Sequence, residues 1–413
     1  MSARQPRAVL AVPEFRAIWL AELLSVLGDQ LARVALTVLV FGRTGSASLA
    51  ALSYALTFLP ALVGGVLLAG LADRFRRREV MVAADALRAL TVALMALPGM
   101  PLWLLCALLV LVVLAAAPHT AAQGALLPQV LPGRLYERGL AVRQITGQSA
   151  QLAGFAAGGL LVAAFTPEAA LLVDAGTFVL SGLLVRFGVA ARSRPRGDGG
   201  PGAEPDGQSL VGVVAEIAAD PVRRALVALA WLVGCYVVPE ALAAPYAAEI
   251  GAGPVAVGLL MAADPLGSVL GAWLFVRFVP FTRRARLVGV LAVAAGLPLL
   301  PFALRPDVPV AVVLLALSGM ASTAYLLQTQ AGFVRATPDG SRGRAIGIAA
   351  SGIVAGQGVA VLVGGVLADL WGAPVAIAAA GAAGAVLALG GAVLWHRACR
   401  AGTPAATRAV TEG

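Results

Sequence analysis

The stretch Gly70 to Val80, GLADRFRRREV, constrains this chain more than any other, because it packs four arginines between two long apolar runs. Leucine, alanine and valine fill Ser48 to Leu71 before it and Val80 to Leu97 after it. A water-soluble core gives no reason for so abrupt a cluster. A membrane does, since each run is about long enough to cross a hydrocarbon layer of roughly 30 Å. The cluster then reads as a tight cytoplasmic turn between two crossing helices, and the rest of the chain should repeat the arrangement. Composition agrees: 60% of residues are hydrophobic and 12% charged, against roughly 25% charged in ordinary soluble domains.

About twelve runs of ~20 apolar residues follow one another, the length a crossing helix needs. They cover Ala17–Phe41, Ser48–Leu71, Val80–Leu97, a run from Pro101 to near Leu127, Gly139–Phe165, Glu168–Val189, Ala225–Ala247, Pro254–Phe278, Leu287–Leu304, Val308–Val334, Arg344–Leu370 and Ala373–Trp395. Alternate connections carry the arginines: Arg74/Arg76/Arg77/Arg78, Arg134/Arg138/Arg143, Arg192/Arg194/Arg196, Arg283/Arg284/Arg286 and Arg335/Arg342/Arg344. The intervening connections carry only Arg43 and Arg305. Basic residues stay on the cytoplasmic side, so both termini are expected there, in a bacterial cytoplasmic membrane. The apolar patch Ala8–Val12, cut off by Pro13 and Glu14, is too short for a signal-peptide core.

The net charge of +9 comes entirely from arginine, since no lysine occurs. Loop placement accounts for the excess, and no nucleic-acid partner is expected. Cys106 and Cys235 lie inside apolar runs and Cys399 lies in the tail, so neither a disulfide nor a metal site is predicted. The phosphate-binding pattern G-x-x-x-x-G-K-[ST] is absent, as is any His, Cys and carboxylate cluster with ligand spacing. The sequence therefore predicts no cofactor, no metal and no enzymatic activity.

Arg192 to Gln208, RSRPRGDGGPGAEPDGQ, is the one stretch unlike membrane, and its proline, glycine and charge mark a flexible linker. It divides the spans six and six. The expected plan is an all-α integral membrane protein of twelve transmembrane helices in two six-helix pseudo-repeat bundles. Its parts are residues 1–190, a cytoplasmic linker at 191–222 with a short interfacial helix over Ser209–Ala219, residues 223–400, and a tail at 401–413. The halves resemble each other weakly. GGLLVAAF from Gly159 and GGVLADLW from Gly364 each close the fifth span of their half, and LGAWLFVRF follows the eighth span as LAGLADRFRRR follows the second. Two related bundles are the plan of many secondary transporters.

These residues resemble the major facilitator superfamily. In its loop between the second and third helices an Asp-Arg pair precedes a glycine and two basic residues. Asp73, Arg74, Arg77 and Arg78 match, while Arg76 stands at the glycine position and Ala69 at the leading glycine. The resemblance implies that Asp73 neighbours the start of the eleventh helix, near Arg342 to Ala345, and latches the cytoplasmic side shut. FRAIWLAELLSVLGDQ, LVDAGTFVLS and VVPEALAAP followed by VGLLMAADPLGSVLG are similar to the branch of drug:proton antiporters holding macrolide and siderophore exporters. The antiporter pattern on the fifth helix keeps Gly154, Gly158 and Gly159, with Phe155 in place of its proline.

Ionisable residues inside a bilayer are costly, so they pair, face a cavity or serve function. Glu22, Asp29 and Arg33 are spaced by seven and four and share one helix face, where Asp29 can pair with Arg33. Asp29 falls near the midplane, and it is either a coupling group or half of a structural pair. Asp85 and Arg88 share a face of the third span, and Arg88 is within conceivable reach of Asp29. With Asp174 and Asp264 they form an expected buried charge network of mainly structural character. The resemblance places the first, fourth, seventh and tenth helices around the cavity. That puts Glu240, with Tyr236 one turn before it and Pro239 and Pro245 nearby, among the coupling or substrate residues. Tyr325, Gln328 and Thr329 are expected substrate contacts. Gln144, Gln148 and Gln151 read as helix packing, and His119 as a bundle contact. The reading is a secondary transporter, expected to be monomeric, that exports a small hydrophobic or amphiphilic molecule against a proton gradient. An importer or uniporter on the same fold is the alternative, and a non-transporting membrane sensor a more distant one.

Overall fold

The computed structural model describes residues 9–68, 70–192, 210–338 and 342–401. All regular structure among them is helical. The first span is α1 (Pro13–Thr44), and the second is split into α2 (Ala47–Ala55) and α3 (Leu59–Leu67). A single turn, α4 (Leu71–Arg74), leads to α5 (Arg77–Met95), α6 (Leu102–Val130), α7 (Arg134–Ala164) and α8 (Pro167–Gly188). After the linker come α9 (Leu210–Ala219) and a seventh span in three pieces, α10 (Pro221–Trp231), α11 (Val233–Ala241) and α12 (Ala243–Glu249). The remainder is α13 (Pro254–Phe278), α14 (Phe281–Gly296) continued by a 3-10 segment Leu297–Leu304, α15 (Val308–Ala336), α16 (Arg342–Trp371) and α17 (Ala373–Ala401). Twelve membrane passes result, six on each side of the linker.

Ten helical segments among the described residues are long and apolar enough to cross a bilayer. The two other passes, α5 and α7, carry charged and amide side chains, of which Asp85 and Arg88 are buried and Glu79, Glu137 and Gln144 are exposed. Helices also run past the hydrocarbon boundary. The fifth begins at Arg134 and the ninth at Phe281, because backbone hydrogen bonding does not stop where apolar sequence does.

Local chemistry explains the ends and breaks. Thr166, Asp220 and Asp307 are N-caps followed at once or closely by proline, and each side chain accepts a backbone N–H of its own first turn. Gly45 ends α1 in the left-handed region at φ 64°, where a glycine has no steric penalty. Pro60 opens α3 just after the break in the second span. The seventh span breaks at Leu232 and Leu242. The second break lies one turn before Pro245, whose ring cannot tolerate the carbonyl four residues earlier; Pro239 stays inside α11 without breaking it. Pro298 and Pro301 sit in the 3-10 segment that closes the ninth span.

The chain divides into two compact units. One takes the first span to Gly45, Leu56 through the sixth span, and Gly253–Ala262; the other takes Ser46–Ala55, the seventh span to Ala252, and Ala263 onward. In unit 1 an apolar cluster of Phe15, Ile18, Met81, Leu126 and Val185 joins α1, α5, α6 and α8. The outer face of α8 exposes Leu172, Val179, Leu183 and Phe187, whereas its inner face buries Asp174, Phe178 and Ser181. Apolar outside and polar inside is the arrangement a hydrocarbon solvent selects. Gly154 and Gly158 of α7 have no room for a Cβ against α1, and Gly267 and Gly271 of α13 meet the α15 backbone in unit 2.

Within unit 2 Asp369, near the end of α16, closes the amino end of α2. Its carboxylate accepts the Ala47 N–H at 2.6 Å, the Ser48 N–H at 3.1 Å and the Ser46 hydroxyl at 3.0 Å. Negative charge at a helix amino terminus meets unpaired N–H groups and the positive end of the dipole. Replacing it by alanine is expected to cost about 1–2 kcal/mol, as for other lost caps. The apparent melting temperature of the purified protein should therefore fall in Asp369→Ala and fall less in Asp369→Asn. Equal melting of Asp369→Ala and wild type would remove the cap from the account.

Candidate functional site: buried polar clusters in each unit

In unit 1 the organising group is Arg88 of α5, with its side chain 5% exposed. Its Nη2 donates to both carboxylate oxygens of Asp29, at 2.7 and 2.9 Å, and its Nη1 donates to the Ser25 hydroxyl at 3.1 Å. Ser25 and Asp29 are one turn apart on α1. The guanidinium lies 3.9 Å from the ring centroid of Phe178 on α8, a cation–π contact in a water-poor site. Asp29 is the open end of the arrangement, with its side chain 34% exposed. The spacing along α1 favoured Arg33 as its partner; α5 instead delivers Arg88, and the Arg33 guanidinium lies 5.8 Å from the Phe58 ring centroid.

Two further carboxyls lie beside Arg88. Asp174 is 1% exposed, and its carboxylate packs on Gly28 so tightly that any Cβ there would strike it and the Thr177 hydroxyl. Thr177 Oγ1 lies 3.2 Å from Asp174 Oδ1, and Asp29 and Arg88 are both within Coulombic reach. Asp85, fully buried, accepts the Ser181 hydroxyl at 2.7 Å, with His119 Nε2 3.5 Å from its other oxygen. Glu22 does not join this group. It pairs with Arg143 of α7, whose Nε and Nη2 meet its two oxygens at 2.5 and 2.7 Å. Arg143, counted by sequence among the loop arginines, therefore lies within a helix with a half-buried partner.

Unit 2 is built from hydroxyls. Glu240 on α11, 7% exposed, accepts a hydrogen bond from the Tyr54 hydroxyl of α2. Asp264 on α13 lies within Coulombic reach of Glu240 and 3.5 Å from the Ser268 hydroxyl, which in turn accepts from Thr323 at 2.7 Å. Tyr236 and Tyr325 meet edge to face with centroids 6.3 Å apart. The Tyr236 hydroxyl donates to the Ala292 carbonyl at 2.7 Å, whereas the fully buried Tyr325 hydroxyl has no partner among the described residues. Gln328 is half-buried on the same helix, and Thr329 spends its hydroxyl on the Tyr325 carbonyl at 2.8 Å. One turn further, a mostly apolar cleft of about 230 Å³ is lined by Leu226, Ala230, Thr329, Phe333, Ile346 and Ile353 among others.

At the arginine cluster, Arg77 donates to the Ala125 carbonyl at 2.8 Å and Arg78 to the Val189 carbonyl at 3.2 Å. Arg78 therefore caps the carboxyl end of α8, and Arg77 ties to the carboxyl-terminal part of α6. Arg76 pairs with Glu79 at the surface, and Arg74 is exposed in the last turn of α4. The side chains of Asp73 and Cys399 lie outside the described residues, as do residues 402–413.

The sequence profile of the Major Facilitator Superfamily matches residues 18–239 and again 236–412. The chain belongs to that superfamily and is a multi-pass membrane transporter of its type. It is 28% identical over 381 residues to the multidrug efflux pump Tap of Mycobacterium tuberculosis, across 86% of this chain and 87% of that one. It is 32% identical over 171 residues to an uncharacterized MFS-type transporter, YfiS, of Bacillus subtilis, an alignment that spans 40% of each chain. Among solved structures it is similar to a bacterial homologue of the human lysosomal transporter Spinster in an inward-facing, occupied conformation. The TM-score is 0.73 with 14% identity, covering 97% of this chain and 98% of that one, so the likeness is one of fold.

The Arg88 arrangement predicts a specific double-mutant result. Arg88→Ala strips a buried cation from Asp29 and should destabilise the protein by about 3 kcal/mol. Adding Asp29→Asn should recover part of that loss, because the stranded carboxylate is removed. Additive losses in chemical or thermal unfolding would mean that the two side chains do not interact.

Proposed function

We propose that this transporter exports small hydrophobic or amphiphilic molecules across the bacterial cytoplasmic membrane in exchange for protons. The observation that carries the reading is a carboxylate, Asp29, with its side chain 34% exposed, held by an arginine that is itself buried. A carboxylate in such a place can change charge, and each change alters what its cation must do next. Glu240 and its Tyr54 partner are the corresponding titratable group in unit 2. Similarity to an efflux pump over most of the chain supports export, and the alternation of arginine-rich connections supports cytoplasmic termini.

In this mechanism residues 1–190 and 223–400 act as the moving halves of a monomeric carrier, joined by 191–222. Protonation of Asp29 or Glu240 from outside weakens substrate binding and biases the halves back toward the cytoplasm. The apolar cleft beside Thr329, with Tyr325 and Gln328 nearby, supplies the kind of surface that an aliphatic or aromatic substrate favours. Asp73 and Arg74 act as the cytoplasmic latch that the family resemblance implies. Arg77 and Arg78 hold the loop to its own unit.

Everted membrane vesicles with an imposed pH gradient and a fluorescent lipophilic dye provide the test. Dye accumulation should follow the gradient and drop on the order of tenfold or more in Asp29→Asn, the scale expected when a proton-transfer group is lost. Movement that ignores the gradient would rule out proton antiport. Asp73→Asn should impair the same accumulation while leaving membrane insertion intact; full activity there would reduce the Gly70–Val80 stretch to an orientation signal.

A further inference from the structure

The charge balance inside unit 1 points to a proton carrier different from Asp29. Three carboxyl groups (Asp29, Asp85 and Asp174) stand against one guanidinium, Arg88, and one imidazole, His119. The charged neighbours of Asp174 are Asp29 and Arg88, and Arg33 of α1, one turn from Asp29, has its guanidinium 5.8 Å from the Phe58 ring centroid. The charged residues of α7 stop at Arg143, which is bound to Glu22, and Arg186 of α8 lies near the exposed Phe187 at the helix end. Asp29 has Arg88; Asp85 has the Ser181 hydroxyl on one oxygen, with His119 Nε2 3.5 Å from the other and not hydrogen-bonded to it. Asp174, the third, has the Thr177 hydroxyl and the backbone of Gly28. An ionised carboxylate so enclosed would be an isolated charge in a medium that penalises it heavily. A neutral carboxyl group is what such surroundings accommodate.

A second observation concerns Arg88 itself. Its Nη1 and Nη2 are engaged by Ser25 and Asp29, but its buried Nε–H has no partner among the described residues. The guanidinium thus keeps an unused donor inside the same cluster. Gly28, by admitting the Asp174 carboxyl against the α1 backbone, puts that carboxyl one residue from Asp29.

We propose that Asp174 holds the exchangeable proton of unit 1, and that Arg88 switches between Asp29 and Asp174 as the proton moves. With Arg88 on Asp29, Asp174 is the neutral acid. Transfer breaks the Asp174 O–H bond and forms one on Asp29, so a carboxylate and a carboxylic acid exchange places and the net charge is unchanged. Arg88 follows the negative charge to Asp174, and Asp29, the exposed member, trades the proton with water. Asp29 is then the gate for the proton and Asp174 its store. This inference rests on the proton-coupled reading above and deepens it.

Infrared spectroscopy of the purified protein in lipid nanodiscs tests it without a substrate. The wild type at neutral pH should show the carbonyl stretch of a neutral carboxylic acid that disappears from the spectrum of Asp174→Asn and persists in Asp85→Asn. If Asp174→Asn does not fold, Asp174→Glu should keep the band at a shifted position. An unchanged carboxylic-acid spectrum in either Asp174 variant overturns the proposal. In everted vesicles with ethidium as the probe, Asp174→Asn should equilibrate the dye downhill but lose gradient-driven accumulation. Full accumulation in that variant also overturns the proposal while leaving proton antiport standing. A wild type that ignores the gradient rejects antiport itself, and the infrared result then still decides the protonation of Asp174.

Discussion

A guanidinium in hydrocarbon has to be surrounded before anything else can be satisfied, and Arg88 sets that demand for unit 1. Its charge cannot be left alone at such depth. Asp29 therefore has to arrive from α1, Ser25 has to follow one turn away, and Phe178 has to lay its ring across the guanidinium from α8. Those three contacts fix how α1, α5 and α8 meet. Gly28 follows as a requirement, since α8 can bring Asp174 to this place only where α1 has no side chain. Polarity also explains why α5 makes a poor membrane helix by composition: its cost is met by partners and not by lipid.

Unit 2 solves the same problem with neutral donors. Glu240 receives a tyrosine hydroxyl, and Asp264 sits in a chain of serine and threonine hydroxyls. A hydroxyl can donate to a carboxylate and accept from a carboxylic acid, so it serves either protonation state, whereas an arginine favours only one. Close glycine contacts between α13 and α15 bring these short side chains within reach of one another. The breaks in the second and seventh spans matter in the same way. They occur near prolines, and they free the ends of α2 and α12 from the regular helix ladder. At the other end of α2, where the second span begins, Asp369 meets the unpaired N–H groups.

Much of the architecture was legible because a bilayer imposes simple rules on sequence. Run length gave the passes, including α5 and α7 despite their charges, and the alternation of arginines gave an even count. Caps such as Asp220-Pro221 and Thr166-Pro167 mark helix starts by chemistry that is local. The polar residues of the site were legible one by one, since an acid in an apolar run is conspicuous. Their partners were not. Tyr54 carries no local signal among the apolar residues of its span, and Arg143 looked like one more loop arginine.

The sequence by itself determined that this chain crosses a membrane twelve times and which side chains pose an electrostatic problem. Only the tertiary structure decided how each problem is met: Asp29 with Arg88 from another helix, Glu22 with Arg143, Glu240 with Tyr54, and Asp174 with no cation of its own. The reason is physical. Crossing a bilayer depends on transfer free energies that add along a single helix, so they can be read in one dimension. Pairing depends on the depth and rotation at which two helices pack, and those are set by the contact of whole surfaces that lie far apart in sequence.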